Sequence, residues 1–273
     1  MVEKREVTLW EHLTELLTRL RIILISIFVS SAVASSFPVN FLEFIRSIRI
    51  NFSISNPFNT ISAKYTPLIV YVMNRLKQDL LPQGVELIAV KWTDVITVYA
   101  TVALLIGVIF SSPIAAYEIY KFVNPALYPH ERKFLYTFSI AFLLLFTVGV
   151  VYAYYVLVPI SFFFMIKLTI IAGAKPLFSI ADFYYFVSLA LAGSGILFTF
   201  PIFIVLLVKY DVVSPDTLRA YWRHVIVGIL VFAAIITPDP TPVTMSLISV
   251  PFIALYLGSV KVSEYVYKRS VKQ

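Results

Sequence analysis

Six long stretches of this chain hold no charged residue, and this pattern constrains the fold more than any other feature of the sequence. About 20 consecutive apolar residues are enough to cross the hydrocarbon core of a bilayer as a helix. Ionisable groups inside such spans usually mark proton relays or ion sites. Their absence therefore places the polar chemistry of this chain at the membrane surface. The stretches without Asp, Glu, Lys or Arg are 22–42, 95–117, 134–166, 183–208, 225–238 and 240–260.

The composition indicates a single integral membrane domain over residues 1–273. Hydrophobic residues make up 60% of the chain and charged residues 14%, whereas a soluble domain carries about 25% charged residues. The net charge of +7 fits loops on the cytoplasmic side, which are enriched in Lys and Arg, better than a nucleic-acid partner. We expect an all-α integral membrane protein in the lipid bilayer, with six transmembrane helices at about 21–37, 93–117, 134–158, 183–208, 222–236 and 244–260.

Residues typical of catalysis or metal binding are scarce. The chain contains no cysteine, which excludes disulfides and thiolate metal sites. The three histidines are far apart and none lies in a metal-binding spacing such as HExxH; they are His12, His130 and His224. We expect no metal, no cofactor and no enzymatic activity. An intramembrane enzyme is disfavoured because the apolar stretches hold no paired acids and show no Ser/His arrangement at one depth.

Residues 1–20 are predicted to form a cytoplasmic amphipathic helix that runs into the first span. Thr8 and Glu11 fit a capping box at its start. Its apolar stripe has the spacing of one helix face and consists of Leu9, Leu13, Leu16 and Leu20.

The connections also carry local signals. Residues 66–81 read as an interfacial helix, followed by turn residues at Pro82-Gln83-Gly84. Asn51 begins a glycosylation acceptor pattern, which is common by chance. The last two spans are expected to be short, and the proline-rich residues 237–242 between them predict a tight hairpin.

The distribution of Lys and Arg predicts the orientation. Basic residues are concentrated in the segments that would face the cytoplasm if both termini were there. We therefore expect a multi-pass protein of the cell membrane with cytoplasmic N- and C-termini. A small-solute secondary transporter is the alternative function, but the chain lacks a convincing internal repeat, which many transporters of that class contain.

Two segments predicted to face the cytoplasm each place a carboxylate among basic residues. The first, residues 12–20, contains Glu15, and the second, residues 122–133, contains Glu131. Both segments resemble signature motifs of TatC, a subunit of the twin-arginine protein translocase. Further matches follow in order at residues 81–84, at residues 153–155 with Pro159, and at residues 237–239.

The resemblance implies a receptor without catalytic activity. TatC-like proteins bind signal peptides that carry two consecutive arginines, and they export folded cargo together with single-span TatA/TatB-type subunits. They work in an oligomeric complex that uses the proton-motive force. Glu15 and Glu131 match the family positions that contact the arginine pair.

The chemistry of these two acids suits that role, although each has a structural alternative. A carboxylate accepts two parallel hydrogen bonds from a guanidinium, a geometry that Lys cannot reproduce. Glu15 could equally pair with Arg19 one helical turn later, and Glu131 could complement the dipole of a helix that begins at Pro129. Either acid can stabilise its helix and still accept a guanidinium.

Other residues of the motifs are expected to support the site. Glu118 occupies a position where family members often have Gln, and a role as a boundary charge is favoured for it. The remaining supporting residues are His12, Phe122, Pro125 and Tyr128. Two positions depart from the family pattern: Leu17 replaces an arginine, and Thr199 replaces an intramembrane Glu. Thr199 is the candidate for docking a partner helix, through its hydroxyl alone.

Overall fold

The structure is a computed structural model of the whole chain. It describes residues 9–39, 66–123, 132–209, 212–236 and 242–270. The Cα positions divide the chain into two compact units. The first unit comprises residues 1–81, 87–126 and 179–185, and the second comprises residues 82–86, 127–178 and 186–273.

Helices account for nearly all of the regular structure in the described ranges. They are α1 (Leu9–Ser36), α2 (Leu68–Leu80), α3 (Asp94–Val123), α4 (Arg132–Tyr152), α5 (Val158–Ile171), α6 (Ile180–Phe198), α7 (Phe200–Lys209), α8 (Pro215–Ala220), α9 (Trp222–Ile236) and α10 (Pro242–Ser270). One π-helical turn, Ala153–Leu157, joins α4 to α5. Two strands, β1 (Glu86–Ile88) and β2 (Leu177–Ser179), form a two-stranded sheet.

Five helical stretches in the described ranges are long and apolar enough to cross a membrane. They are Leu13–Ser36, Asp94–Phe122, Thr137–Ile171, Ile180–Lys209 and Pro242–Tyr267. The predicted fifth span corresponds to α9, a shorter apolar helix of 15 residues. A helical multi-pass membrane protein is therefore confirmed, while the count of six spans and the orientation of the termini stay predictions.

Two helices differ from their predicted extents. The predicted surface helix and first span are parts of one helix, because α1 continues without a break through Arg21. The last helix is longer than predicted: α10 contains 29 residues, whereas the apolar stretch alone indicated a short span. It continues into polar sequence, where Glu264 pairs with Arg219 of α8 across 2.6 Å between Oε1 and Nε.

Prolines set the irregularities within the apolar helices. Pro201 has no N–H to donate to the carbonyl of residue 197, and its ring crowds that carbonyl. The helix accordingly breaks at Thr199, whose N–H donates to the Ile196 carbonyl at 3.1 Å, a three-residue turn. Pro159 removes the helical donor for the carbonyl of residue 155 in the same way. The π-helical turn Ala153–Leu157 lies at that place.

Helix α1 packs against α3 within the first unit, and Gly107 makes this close approach possible. A Cβ atom at position 107 would lie 2.6 Å from the carbonyl oxygen of Ile27 and would also overlap the hydroxyl of Ser31. Small residues at such crossings allow helix backbones in membranes to approach closely. Gly107 therefore fixes how near α3 lies to α1.

Hydrogen bonds just before α2 and within it attach this helix to the first unit. The chain leaves α1 and enters α2 through a paired stem, in which the Val39 N–H donates to the Thr66 carbonyl at 3.0 Å and the Leu68 N–H donates to the Phe37 carbonyl at 2.8 Å. The buried hydroxyl of Tyr184 donates to the Met73 carbonyl at 2.9 Å. Asn51, which begins the glycosylation acceptor pattern, lies outside the described residues.

The second unit has a core between α7 and α10. Ile204, Tyr256 and Val260 are buried there, and the partly buried residues packed against them are Leu218, Val225 and Ile229. The Tyr256 hydroxyl donates to the Leu218 carbonyl at 2.8 Å, which ties α8 to α10.

We predict that Gly107→Ala destabilises the protein while a matched substitution does not. The added methyl group overlaps Ile27 and Ser31, and overpacking of this kind costs about 1–3 kcal/mol. Gly193, on α6, has open space where a Cβ would be placed, so Gly193→Ala should be neutral or slightly stabilising. Thermal unfolding of both variants in detergent checks this; equal midpoints for Gly107→Ala and the unmodified chain would contradict the packing described for α1 and α3.

Candidate functional site

An ion-paired triad joins α1 to α3. Arg19 lies between two carboxylates: its Nη2 is 3.2 Å from Oε1 of Glu15, and its Nη1 is 3.1 Å from Oε2 of Glu118. Both contacts satisfy hydrogen-bond geometry. One guanidinium thus uses its two terminal nitrogens to bridge two acids on different helices.

Helix geometry and helix packing each supply one half of this triad. Glu15 and Arg19 are four residues apart, so they lie on one face of α1. Glu118 lies in the last part of α3 and reaches Arg19 only because α1 packs along α3, 99 residues away in sequence. Spacing therefore predicts the first contact, whereas the second depends on the tertiary fold.

The two acids differ in their access to solvent. The side chain of Glu15 is 28% exposed and that of Arg19 is 24% exposed, but the side chain of Glu118 is only 7% exposed. The Glu118 carboxylate is thus buried and paired with Arg19, and its interpretation as a boundary charge stays a prediction. An ionised group at such depth is costly unless it is paired, and Arg19 supplies the pairing.

The triad keeps unused hydrogen-bonding capacity. One oxygen of each carboxylate accepts a hydrogen bond from Arg19. The Nε of Arg19 is buried and has no acceptor among the described residues. Two acids and one guanidinium carry a net charge of −1, so the triad as a whole attracts a cation. The neighbouring Lys121 lies over the Tyr117 ring, with its Nζ 4.7 Å from the ring centroid.

The other predicted motif residues are only partly described. Glu131, Pro125 and Tyr128 lie outside the described residues, as does Pro129, and the side chain of His12 is not described. Phe122 lies near the end of α3 and is half-buried. Their proposed roles at the site stay predictions.

Thr199, the candidate for docking a partner helix, belongs to the second unit. It occupies the break between α6 and α7, is 2% exposed, and donates its hydroxyl to the Ile196 carbonyl at 2.6 Å. In this conformation the hydroxyl is therefore already used within its own segment.

The cavities of the second unit are lined almost entirely by apolar groups. A groove of about 400 Å³ lies between α4, α7 and α10, with Thr137 and Ser259 as its polar lining residues. A second cavity of only about 40 Å³ lies beside the π-helical turn, and Tyr152, Ser161 and Ser194 are its polar lining residues. Neither lining includes an ionisable acid or base of the kind that binds ions in transporters. Within the described ranges, the acidic and histidine side chains form no cluster that could hold a metal ion.

Comparison with known proteins identifies the family. Residues 11–251 match the family model of the Sec-independent protein translocase protein TatC. The chain is 29% identical to the Sec-independent protein translocase protein TatC of Listeria innocua, over 96% of this chain and 93% of that protein. It is also 38% identical to the chloroplastic protein TATC of Pisum sativum, over 56% of this chain but only 43% of the pea protein.

A solved structure shares the fold as well. The crystal structure of the twin arginine translocase receptor TatC superposes with a TM-score of 0.72 at 28% sequence identity, covering 94% of this chain and 99% of that one. The residues matched by the family model, 11–251, include Glu15, Arg19 and Glu118. The resemblance seen in the sequence motifs is thus confirmed over almost the whole chain, and the chain belongs to the TatC family of Sec-independent protein translocase proteins.

Proposed function

We propose that this chain is the signal-peptide receptor of a twin-arginine translocase. In this role it binds peptides with two consecutive arginines at the cytoplasmic membrane face. With single-span TatA/TatB-type subunits in an oligomeric complex, it then exports folded proteins at the expense of the proton-motive force. Membership of the TatC family and the acidic triad at the start of α1 support this proposal.

The single observation that carries the proposal is the contact between Arg19 and Glu15. It demonstrates a carboxylate at this place that accepts a guanidinium, with Nη2 and Oε1 3.2 Å apart, and that stays partly open to solvent. A guanidinium of an incoming peptide would make the same type of charge-assisted hydrogen bond. Because the site adjoins a low-dielectric region, the pairing would be stronger than in bulk water.

Glu131 is proposed as the acceptor for the second arginine. It directly precedes Arg132, where α4 begins, in the connection that follows the helix of Glu118. Two adjacent guanidinium groups require two acceptors, and Glu15 and Glu131 match both acidic positions of the family motifs. Glu131 would supply the second negative charge that an arginine pair requires.

The excess of Lys and Arg in the proposed cytoplasmic segments supports an orientation with both termini in the cytoplasm. In that orientation the triad lies at the inner surface of the membrane, where a leader peptide arrives before export. The apolar linings of the two cavities give no support to the alternative of a small-solute transporter.

We predict that Glu15→Ala and Glu131→Ala each weaken binding of a synthetic twin-arginine peptide by about tenfold, since a hydrogen bond to a charged group contributes about 1.5–3 kcal/mol. Replacing the arginine pair of the peptide by two lysines should weaken binding similarly. Fluorescence anisotropy with the detergent-solubilised protein measures all three affinities.

The matched control for these substitutions is Asp216→Ala. Asp216 is an exposed acid in the first turn of α8, on a segment predicted to face the same side of the membrane, and its loss should leave the affinity unchanged. Unchanged affinity for Glu15→Ala, Glu131→Ala and the dilysine peptide together would refute the carboxylate site.

The second proposed contact is between a partner helix and the break at Thr199. Pro201 has no N–H with which to donate to the Leu197 carbonyl, and we propose that a polar side chain of a partner helix donates to the backbone at this break instead. We predict that a photo-crosslinking residue at position 199 forms an adduct with a co-expressed single-span subunit. The same residue at position 187, a buried site earlier in α6, should form none. An adduct pattern that is the same at both positions would contradict docking at the break.

A further inference from the structure

Glu118 is the buried member of the triad, and it differs from Glu15 in what it can do. Its carboxylate lies at the C-terminal part of α3, 3.1 Å from Nη1 of Arg19, with 7% of the side chain exposed. A signal peptide that approaches from solvent reaches Glu15 more easily, because that side chain is 28% exposed. The structure therefore separates an outer acid from an inner acid, with Arg19 between them.

The two acids compete for one guanidinium. Arg19 gives a single terminal nitrogen to each, and its third donor, Nε, has no acceptor among the described residues. An ion pair is stronger where solvent is excluded, and a surface pair between Glu and a residue four positions later contributes little. The inner acid thus holds Arg19 more firmly than the outer acid does.

A neutral side chain at position 118 would change this balance. Without the inner carboxylate, the only acid in contact with Arg19 among the described residues would be Glu15. The positive charge would then neutralise the acid that is proposed to bind the peptide. The net charge of residues 15, 19 and 118 would rise from −1 to 0, and the attraction for an incoming guanidinium would fall.

We propose that Glu118 is a positioning residue: by binding Nη1 of Arg19 it shares the guanidinium with Glu15, prevents Arg19 from fully neutralising Glu15, and so keeps Glu15 available to the peptide. This inference rests on the proposed function, since it assigns a role within the same site. Glu118 acts through Arg19 and does not itself touch the peptide. We therefore predict that residue 118 affects the affinity for paired arginines although its side chain is buried.

The test is a double-mutant cycle with a twin-arginine peptide. Glu118→Gln should weaken binding by about tenfold, equivalent to about 1.4 kcal/mol, because Arg19 then occupies Glu15. The double variant Arg19→Gln with Glu118→Gln removes the competing cation together with its inner partner. It restores the net charge of −1 at residues 15, 19 and 118. We therefore expect it to bind within about twofold of the unmodified chain, well short of the tenfold loss that corresponds to about 1.4 kcal/mol.

Recovery of peptide affinity in the double variant would not be expected if Glu118 contacted the peptide directly. If Glu118 bound the peptide itself, the double variant would stay as weak as Glu118→Gln, and the inference would be overturned. Equal binding by Glu118→Gln and the unmodified chain would overturn it as well. Should Glu118→Gln fail to fold, the double variant alone decides, because replacing both members of a buried pair is usually tolerated.

A matched control is available in the second unit. Glu264 pairs with Arg219 and is 20% exposed, so Glu264→Gln removes a similarly paired carboxylate that is not a member of the triad and should leave peptide affinity unchanged. The dilysine peptide separates the two proposals. If the unmodified chain binds paired arginine and paired lysine equally, the proposed function fails; if it discriminates between them but the cycle shows no recovery, only the role of Glu118 fails.

Discussion

The cost of an unpaired charge away from water is the constraint on which this structure depends. It explains why the six apolar stretches exclude Asp, Glu, Lys and Arg, and why the buried Glu118 is paired with Arg19. The same constraint joins α1 to α3, because the carboxylate on one helix needs the guanidinium on the other. A requirement of membrane solubility thus also places an acidic site at the end of two spans.

Polar groups of the backbone also need hydrogen-bond partners where water is excluded. Where a proline removes a helical donor, the chain adopts a break at Thr199 or a π-helical turn at residues 153–157. Tyrosine hydroxyls within the helical core are used in a complementary way, since Tyr184 and Tyr256 each donate to a carbonyl on another helix. These bonds join α6 to α2 and α10 to α8.

The sequence predicted the helical membrane fold and the helix near 66–81, because apolar length and helical periodicity act locally. It also offered the pairing of Glu15 with Arg19, four residues apart, as one alternative for Glu15. It could not predict that Glu118 is buried against Arg19, since 99 residues separate them and they meet only through the packing of α1 against α3. The extent of α10 was underestimated because the apolar stretch ends where the Glu264 pairing begins to support the helix.

The paired stem between residues 37–39 and 66–68 has a consequence for how this chain tolerates change. Its hydrogen bonds hold the two ends of the connection side by side. Lengthening a closed loop adds little entropic cost, about 0.6 kcal/mol for each doubling. A reporter domain with adjacent termini could therefore be grafted between those ends while the helix bundle keeps its arrangement.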